Sequence, residues 1–110
     1  MASFPAVTLL ITHYNRSKSL ERLLGAFKAL GVMFGDIIVS DDNSKGLHVQ
    51  AIEHLQTRYS FKLITAPVNR GLGNNLNKGQ DAVATPYTLY VQEDFVPTHK
   101  FLSGFEEAYS

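Results

Sequence analysis

The sequence has no cysteine and no tryptophan, and its 10 basic side chains are matched by 10 acidic ones. Without cysteine there is no disulfide framework, no thiolate nucleophile and no thiolate-ligated zinc or iron–sulfur centre. A formal net charge of zero argues against a protein that holds nucleic acid or anionic lipid through its overall field, so no nucleic-acid partner is expected. Long apolar runs are missing as well. Nothing approaches the ~20 consecutive apolar residues of a membrane span. The first apolar run, Ala6 to Ile11, is too short for a signal core and follows no basic residue. The expected setting is cytoplasmic, or peripheral to the inner face of a membrane in a longer protein.

What is present is the composition of a globular domain: 45% apolar residues with 18% charged, over 110 residues. Val7–Thr12 is a continuous apolar, β-rich run, the pattern of a strand buried on both faces. Ser17 is a candidate N-cap for a helix carrying Leu20, Leu23, Leu24, Phe27 and Leu30, which Gly31 ends. Asp36–Ser40 reads as a second strand closing on Asp41-Asp42, and Leu47, Ala51, Ile52 and Leu55 mark a second helix. Phe61–Thr65 reads as a third strand, stopped by Pro67. After a glycine- and asparagine-rich turn over residues 69–73, Leu72, Leu76 and Val83 outline a third helix. Tyr87–Val91 is a fourth strand, and a terminal amphipathic segment follows Pro97. Four alternations of strand and helix predict an α/β fold, a Rossmann-like, mainly parallel sheet flanked by helices.

In such a sheet every strand that leads into a helix points its carboxyl end to the same edge, and ligands bind where strand order reverses. The polar residues collect at those ends: His13, Tyr14, Asn15 and Arg16; Asp41, Asp42, Asn43 and Ser44; Asn69, Arg70 and Gly71; Gln92, Glu93 and Asp94. Each cluster also has a plainer reading as turn, cap or solvated surface. Gly71-Leu72-Gly73 is no dinucleotide fingerprint, because the third glycine position falls on Leu76. His48, His54 and His99 lack a partner at zinc-binding spacing, and no Ser–His–Asp order is defensible. Oxygen ligands suit magnesium or manganese, which take one or two carboxylates with phosphate oxygens completing the shell. Arg70 suits a phosphate.

Taken together, these segments resemble the nucleotide-binding half of a family 2 glycosyltransferase with the GT-A fold. Residues 7–24, VTLLITHYNRSKSLERLL, are similar to that family's first strand and helix, with the Tyr14-Asn15 pair at the strand end. IIVSDDNS, residues 37–44, resembles its second strand, whose first aspartate, here Asp41, contacts the base or ribose. NRGLGNNLNKG, residues 69–79, matches the next motif at Asn69, Gly71, Asn77 and Gly79, and LYVQEDFVP, residues 89–97, matches the metal-binding DXD segment. There are departures: Thr12-His13 replaces Pro-Thr, Leu76 replaces an arginine, and Gln92 stands at the first DXD position.

The resemblance implies transfer of a sugar, with inversion, from a UDP-, GDP- or dTDP-sugar to an acceptor hydroxyl on a glycan, a lipid-linked carrier or a protein. It implies nucleotide contacts at His13, Tyr14, Asn15, Asp41, Asp42, Asn69, Arg70, Gly71, Asn77 and Glu93. A Mn2+ or Mg2+ ion would be held by Asp94, weakened because Gln92 offers only a neutral oxygen, with Glu93 placed to compensate. The catalytic base lies well past the DXD segment in the family and is therefore expected beyond residue 110, since Glu106 and Glu107 are no substitute. Residues 1–110 then form the donor-binding half of a truncated domain. Alone it would bind donor weakly, transfer nothing and tend to self-associate through uncovered surface. The alternative is a nucleotide-binding or interaction module of the same fold without activity. A receiver-type signalling domain is disfavoured, because its acidic pair would end the first strand.

Overall fold

The computed structural model describes residues 2–109. Strands β1 (Ala2–His13), β2 (Val32–Asp41), β3 (Lys62–Thr65) and β4 (Tyr87–Gln92) alternate with helices α1 (Ser17–Ala29), α2 (Leu47–Arg58), α3 (Leu72–Asp81) and α4 (His99–Tyr109). The strands form one parallel sheet in the order β3-β2-β1-β4. The chain moves outward from β1 through β2 to β3, then crosses back to lay β4 on the other side of β1. Strand order therefore reverses between β1 and β4, which opens a crevice at their carboxyl ends. Among the described residues, no helix is long and apolar enough to cross a membrane.

Alternation along the strands divides the core. Leu9 and Ile11 of β1 and Val39 of β2 join Leu20, Leu23 and Phe27 of α1 and Ile52 and Leu55 of α2 in one buried cluster. Phe101 and Phe105 of α4 dock on the same face, Phe101 edge-on to Phe27 at 6.4 Å and to Phe95 at 5.0 Å. The opposite face, at Leu10 and Ser40, receives α3.

The four strands and four helices lie where the apolar patterning predicts, with instructive differences. β1 begins at Ala2 rather than Val7, and its pairing with β2 shifts register between Phe4 and Thr8, around Pro5. Proline has no N–H for the ladder and hides the extension from a pattern search. β2 correspondingly begins at Val32 and carries Gly35, where a Cβ would fall on the Pro5 carbonyl. Ser17 is not the N-cap of α1: Arg16 occupies that position, and the Ser17 hydroxyl pairs instead with His48 Nδ1 at 2.9 Å. Leu47, expected in the buried stripe of α2, is exposed, as is Leu72 of α3, and Val83 lies beyond the end of α3.

The buried residues of α3 are Asn75 and Gly79. A Cβ on Gly79 would stand 2.5 Å from Leu10 Cδ1 and 3.0 Å from Ser40 Cβ. The helix sits so close to the sheet that its contact stripe must be small or hydrogen-bonded, not apolar. Gly79→Ala is therefore expected to cost about 1–3 kcal/mol, read as a lowered urea midpoint with unchanged slope.

Candidate functional site

The carboxyl ends of β1 and β2 are joined by a buried polar network. His13 and Asp41 are nearly inaccessible, at 1% and 3% exposure. His13 Nε2 accepts the Arg16 backbone N–H at 3.1 Å, which leaves the proton on Nδ1, and Nδ1 donates to Asp41 Oδ1 at 2.8 Å. The Ser44 hydroxyl also donates to Oδ1, while the Ser44 N–H donates to Oδ2 at 2.8 Å. The same hydroxyl accepts the Asn15 N–H at 2.9 Å, and Asn15 Oδ1 accepts the Lys45 N–H at 2.9 Å. Asn15, held at φ 49°, thus laces the loop after β1 to the loop after β2. Burial pushes the Asp41 pKa upward, but the hydrogen bonds from His13 and Ser44 outweigh it and hold it below its ordinary 3.8.

Asp42 plays a parallel role one residue on. Its Oδ1 accepts the Arg70 N–H and its Oδ2 the Gly71 N–H, both at 2.8 Å, and its carbonyl accepts from Asn69 Nδ2 at 3.3 Å. Gly71, at φ 88°, is the N-cap of α3. Two backbone amides that the Asn-Arg-Gly turn could offer to a phosphate, those of Arg70 and Gly71, are already taken by an internal carboxylate. The turn is a braced wall rather than an open anion cradle.

A cleft of about 350 Å³ lies between these ends and the end of β4. His13 and Tyr14 line it from β1, Asp42 from β2, Asn69 and Gly71 from the turn before α3, and Gln92 and Glu93 from β4. Six of the residues expected to contact a nucleotide therefore meet in one place. Tyr14 is 41% exposed and presents its ring there. Glu93 faces Arg16 across the mouth, with Arg16 Nε 3.6 Å from Glu93 Oε1.

The remaining candidates lie elsewhere. Asp41 borders a separate cleft of about 260 Å³ with Asn43, Ser44 and Thr65. Arg70 and Asn77 line a wider groove of about 550 Å³ beside Pro67 and Lys78. Asp94 is exposed in the turn closed by the Phe95 N–H on the Gln92 carbonyl at 3.1 Å. Among the described residues, no three metal-ligating side chains gather into a cluster. Gln92, Glu93 and Asp94 supply only oxygen donors, a set that fits a hard cation arriving with diphosphate oxygens and too small to hold one unaided.

Four residues of the site were not singled out as ligands or braces by sequence reasoning. Ser44 had a signal, since an Asp followed three residues later by Ser forms just this side-chain-to-backbone turn. Arg16 was visible only as one of a polar cluster. Asn75 accepts from the Ser40 hydroxyl through both its carbonyl, at 2.7 Å, and its Oδ1, at 2.8 Å. Lys78 Nζ donates to the Asp41 carbonyl at 2.6 Å. Burial holds the Lys78 pKa below its ordinary 10.5, against the pull of Asp41 and Asp42. The last two contacts cross 35 or more positions of sequence and had no local signal.

Comparison with known proteins bears directly on this geometry. The model of "Glycosyl transferase family 2" matches residues 8–109. The chain belongs to glycosyl transferase family 2. Poly-beta-1,6-N-acetyl-D-glucosamine synthase of Staphylococcus epidermidis is 27% identical over 90 residues, 82% of this chain and 22% of that protein. The synthase of the same name from Staphylococcus aureus strain COL matches to the same extent. The chain thus spans about a fifth of the length of these curated relatives. S. aureus TarS 1-349 in complex with UDP-GlcNAc superposes with a TM-score of 0.72 at 19% identity, over 92% of this chain and 30% of that one. The mannosyltransferase PcManGT from Pyrobaculum calidifontis, in complex with GDP-Man and Mn2+, gives 0.71 at 17% identity, over 91% and 32%. The fold is that of the GT-A glycosyltransferases.

Within this family fold, the buried carboxylate network sets an acid limit on stability. A carboxylate whose pKa is depressed by folding contributes stability in full above its unfolded value and loses it as pH falls through the folded value. Asp41→Asn is expected to lower stability by about 1–3 kcal/mol at neutral pH, because it breaks up a buried hydrogen-bonded set. The gap to the parent chain should narrow as pH drops below 3.8, measured by urea unfolding across a pH series.

Proposed function

We propose that the 350 Å³ cleft binds the donor of a sugar transfer, a nucleoside-diphosphate sugar, as part of an inverting glycosyltransferase. The observation that carries this reading is the convergence of Tyr14, Asn69, Gly71 and Glu93 on one cleft at the reversal of strand order. The relatives are sugar-polymer synthases, and the superposed structures hold UDP-GlcNAc or GDP-Man, which supports a nucleotide-sugar as the class of ligand.

The residues divide their work by exposure. Tyr14 offers a stacking face to the base. Asn69 and Gln92 offer carboxamides to ribose or sugar hydroxyls. Asp42 acts through the wall it braces, and Asp41, with its oxygens engaged by His13 and Ser44, acts by holding the rim. Arg16, exposed at the mouth, is free to turn from Glu93 toward a diphosphate. Asp94 and Gln92 would hold a Mn2+ or Mg2+ ion, which when bound supplies Lewis-acid neutralisation of the leaving diphosphate. In the transfer itself the acceptor hydroxyl displaces the nucleoside diphosphate from the opposite face of the anomeric carbon, and its proton passes to a base.

His13, Asp41 and Asp42 do not serve as that base. His13 Nε2 already accepts a backbone N–H, and the oxygens of Asp41 and Asp42 are engaged. A second reading, a binding module without transfer activity, is favoured by the single exposed carboxylate at the metal position.

Calorimetry of the chain with UDP and with GDP, with and without Mn2+, tests the proposal. One nucleotide should bind, more tightly with the metal, and Tyr14→Ala should weaken it about tenfold or more, a stacking loss of ~1–2 kcal/mol. Asp94→Ala should remove the metal dependence and leave metal-free binding in place. Binding with no response to either substitution would refute the site.

A further inference from the structure

A second pocket lies at the opposite pole of the sheet, beside the turn from α1 into β2. It encloses about 200 Å³, walled by Leu24 and Phe27 of α1 and by Val32, Phe34 and Ile37 of β2. Nothing in the nucleotide reading uses it, because the donor cleft is at the carboxyl ends of the strands.

The rim contrasts with the walls. Lys28 stands in the last turn of α1 and Arg58 in the last turn of α2. Both lie against the ring of Tyr59, Lys28 Nζ 5.7 Å and the Arg58 guanidinium carbon 5.3 Å from its centroid. Two cations are thus gathered on one aromatic ring at the mouth of an apolar hole. Among the described residues, the carboxylate paired with them is Glu21, on Arg58 at 2.7 Å, in a half-exposed contact of the kind that contributes little. No carboxylate lines the pocket itself.

The chemistry of such a site is specific. Apolar walls give water no partners, so the space gains from an apolar occupant. Both cations stand beside the mouth, and an anion placed there would answer their charge. An alkyl chain ending in a carboxylate satisfies both parts.

We propose that this pocket binds a small amphipathic anion of the fatty-acid type, its chain against Leu24, Phe27 and Ile37 and its carboxylate at the rim that Lys28 and Arg58 line. The proposal is independent of the nucleotide reading.

The test is calorimetric titration of the chain with decanoate below its micellar range. Acetate and decyltrimethylammonium serve as probes of the head alone and of the same tail with reversed charge. Decanoate is expected to bind one per chain, at least about tenfold more tightly than either control. It should also raise the melting temperature. The double variant Lys28→Gln/Arg58→Gln alters two exposed side chains and keeps the fold, checked by circular dichroism. It should lose about tenfold in decanoate affinity and most of the thermal shift. Filling the pocket with Ile37→Trp should abolish binding while the donor cleft keeps its nucleotide affinity. Decanoate binding no tighter than decyltrimethylammonium, or equal in the double variant and the parent, overturns the proposal.

Discussion

Placing a carboxylate at the end of a buried strand costs free energy unless donors meet it, and at Asp41 that requirement organises the rim of the molecule. Three donors do so: His13 Nδ1–H, the Ser44 hydroxyl and the Ser44 N–H. The first comes from the end of β1 and the other two from the loop after β2. His13 is fixed in one tautomer by the Arg16 N–H, and the Ser44 hydroxyl takes the Asn15 N–H. One ionised group therefore sets the path of the β1–α1 and β2–α2 connections together. Lys78 adds a further tie, through the Asp41 carbonyl, to α3. Because His13 and the Ser44 hydroxyl are also engaged elsewhere, a change at one member propagates to the others.

The second constraint is the closeness of α3 to the sheet. Gly79 leaves no room for a side chain against Leu10 and Ser40, and Asn75 receives the Ser40 hydroxyl twice. The start of that helix is then drawn to the end of β2 by Asp42, whose two oxygens hold consecutive backbone amides. The result is a braced wall on one side of the cleft, with the exposed Tyr14 and the Arg16–Glu93 pair on the other. Preorganised walls and a few exposed polar groups are what a ligand cleft requires. Solved structures under 20% identical share the same fold.

Much of the fold was legible in the residues. Unbroken apolar runs such as Val7–Thr12 and the Leu20–Phe27 stripe identify buried strands and a surface helix through their periodicity alone. The clustering of polar residues at strand ends foretold the edge that bears the cleft. Legibility failed where a proline interrupts a strand, as at Ala2–Phe4 before Pro5, and where a helix packed through small or polar residues. Leu72 and Leu76 drew attention in α3, whereas Asn75 and Gly79 carry the contact. Asn77 shares a motif with Asn69 and Gly71 but faces the groove beside Arg70 and Lys78, because it lies two positions from the buried Asn75 and Gly79 and residues two apart on a helix point to different sides.

The sequence by itself determined the alternation of strands and helices, the family, and the set of polar groups delivered to one edge, because these depend on patterns repeated within a dozen residues. Only the tertiary structure decided which of those groups are spent inside the protein and which remain to meet a ligand. Asp41, Asp42 and Asp94 look alike as carboxylates following a strand. The first two are buried by neighbours more than 25 positions away and become braces, while Asp94 stays exposed. The difference lies in the partners that folding brings within hydrogen-bonding distance, and a carboxylate's role follows from whether its charge is answered by the protein or by what binds to it.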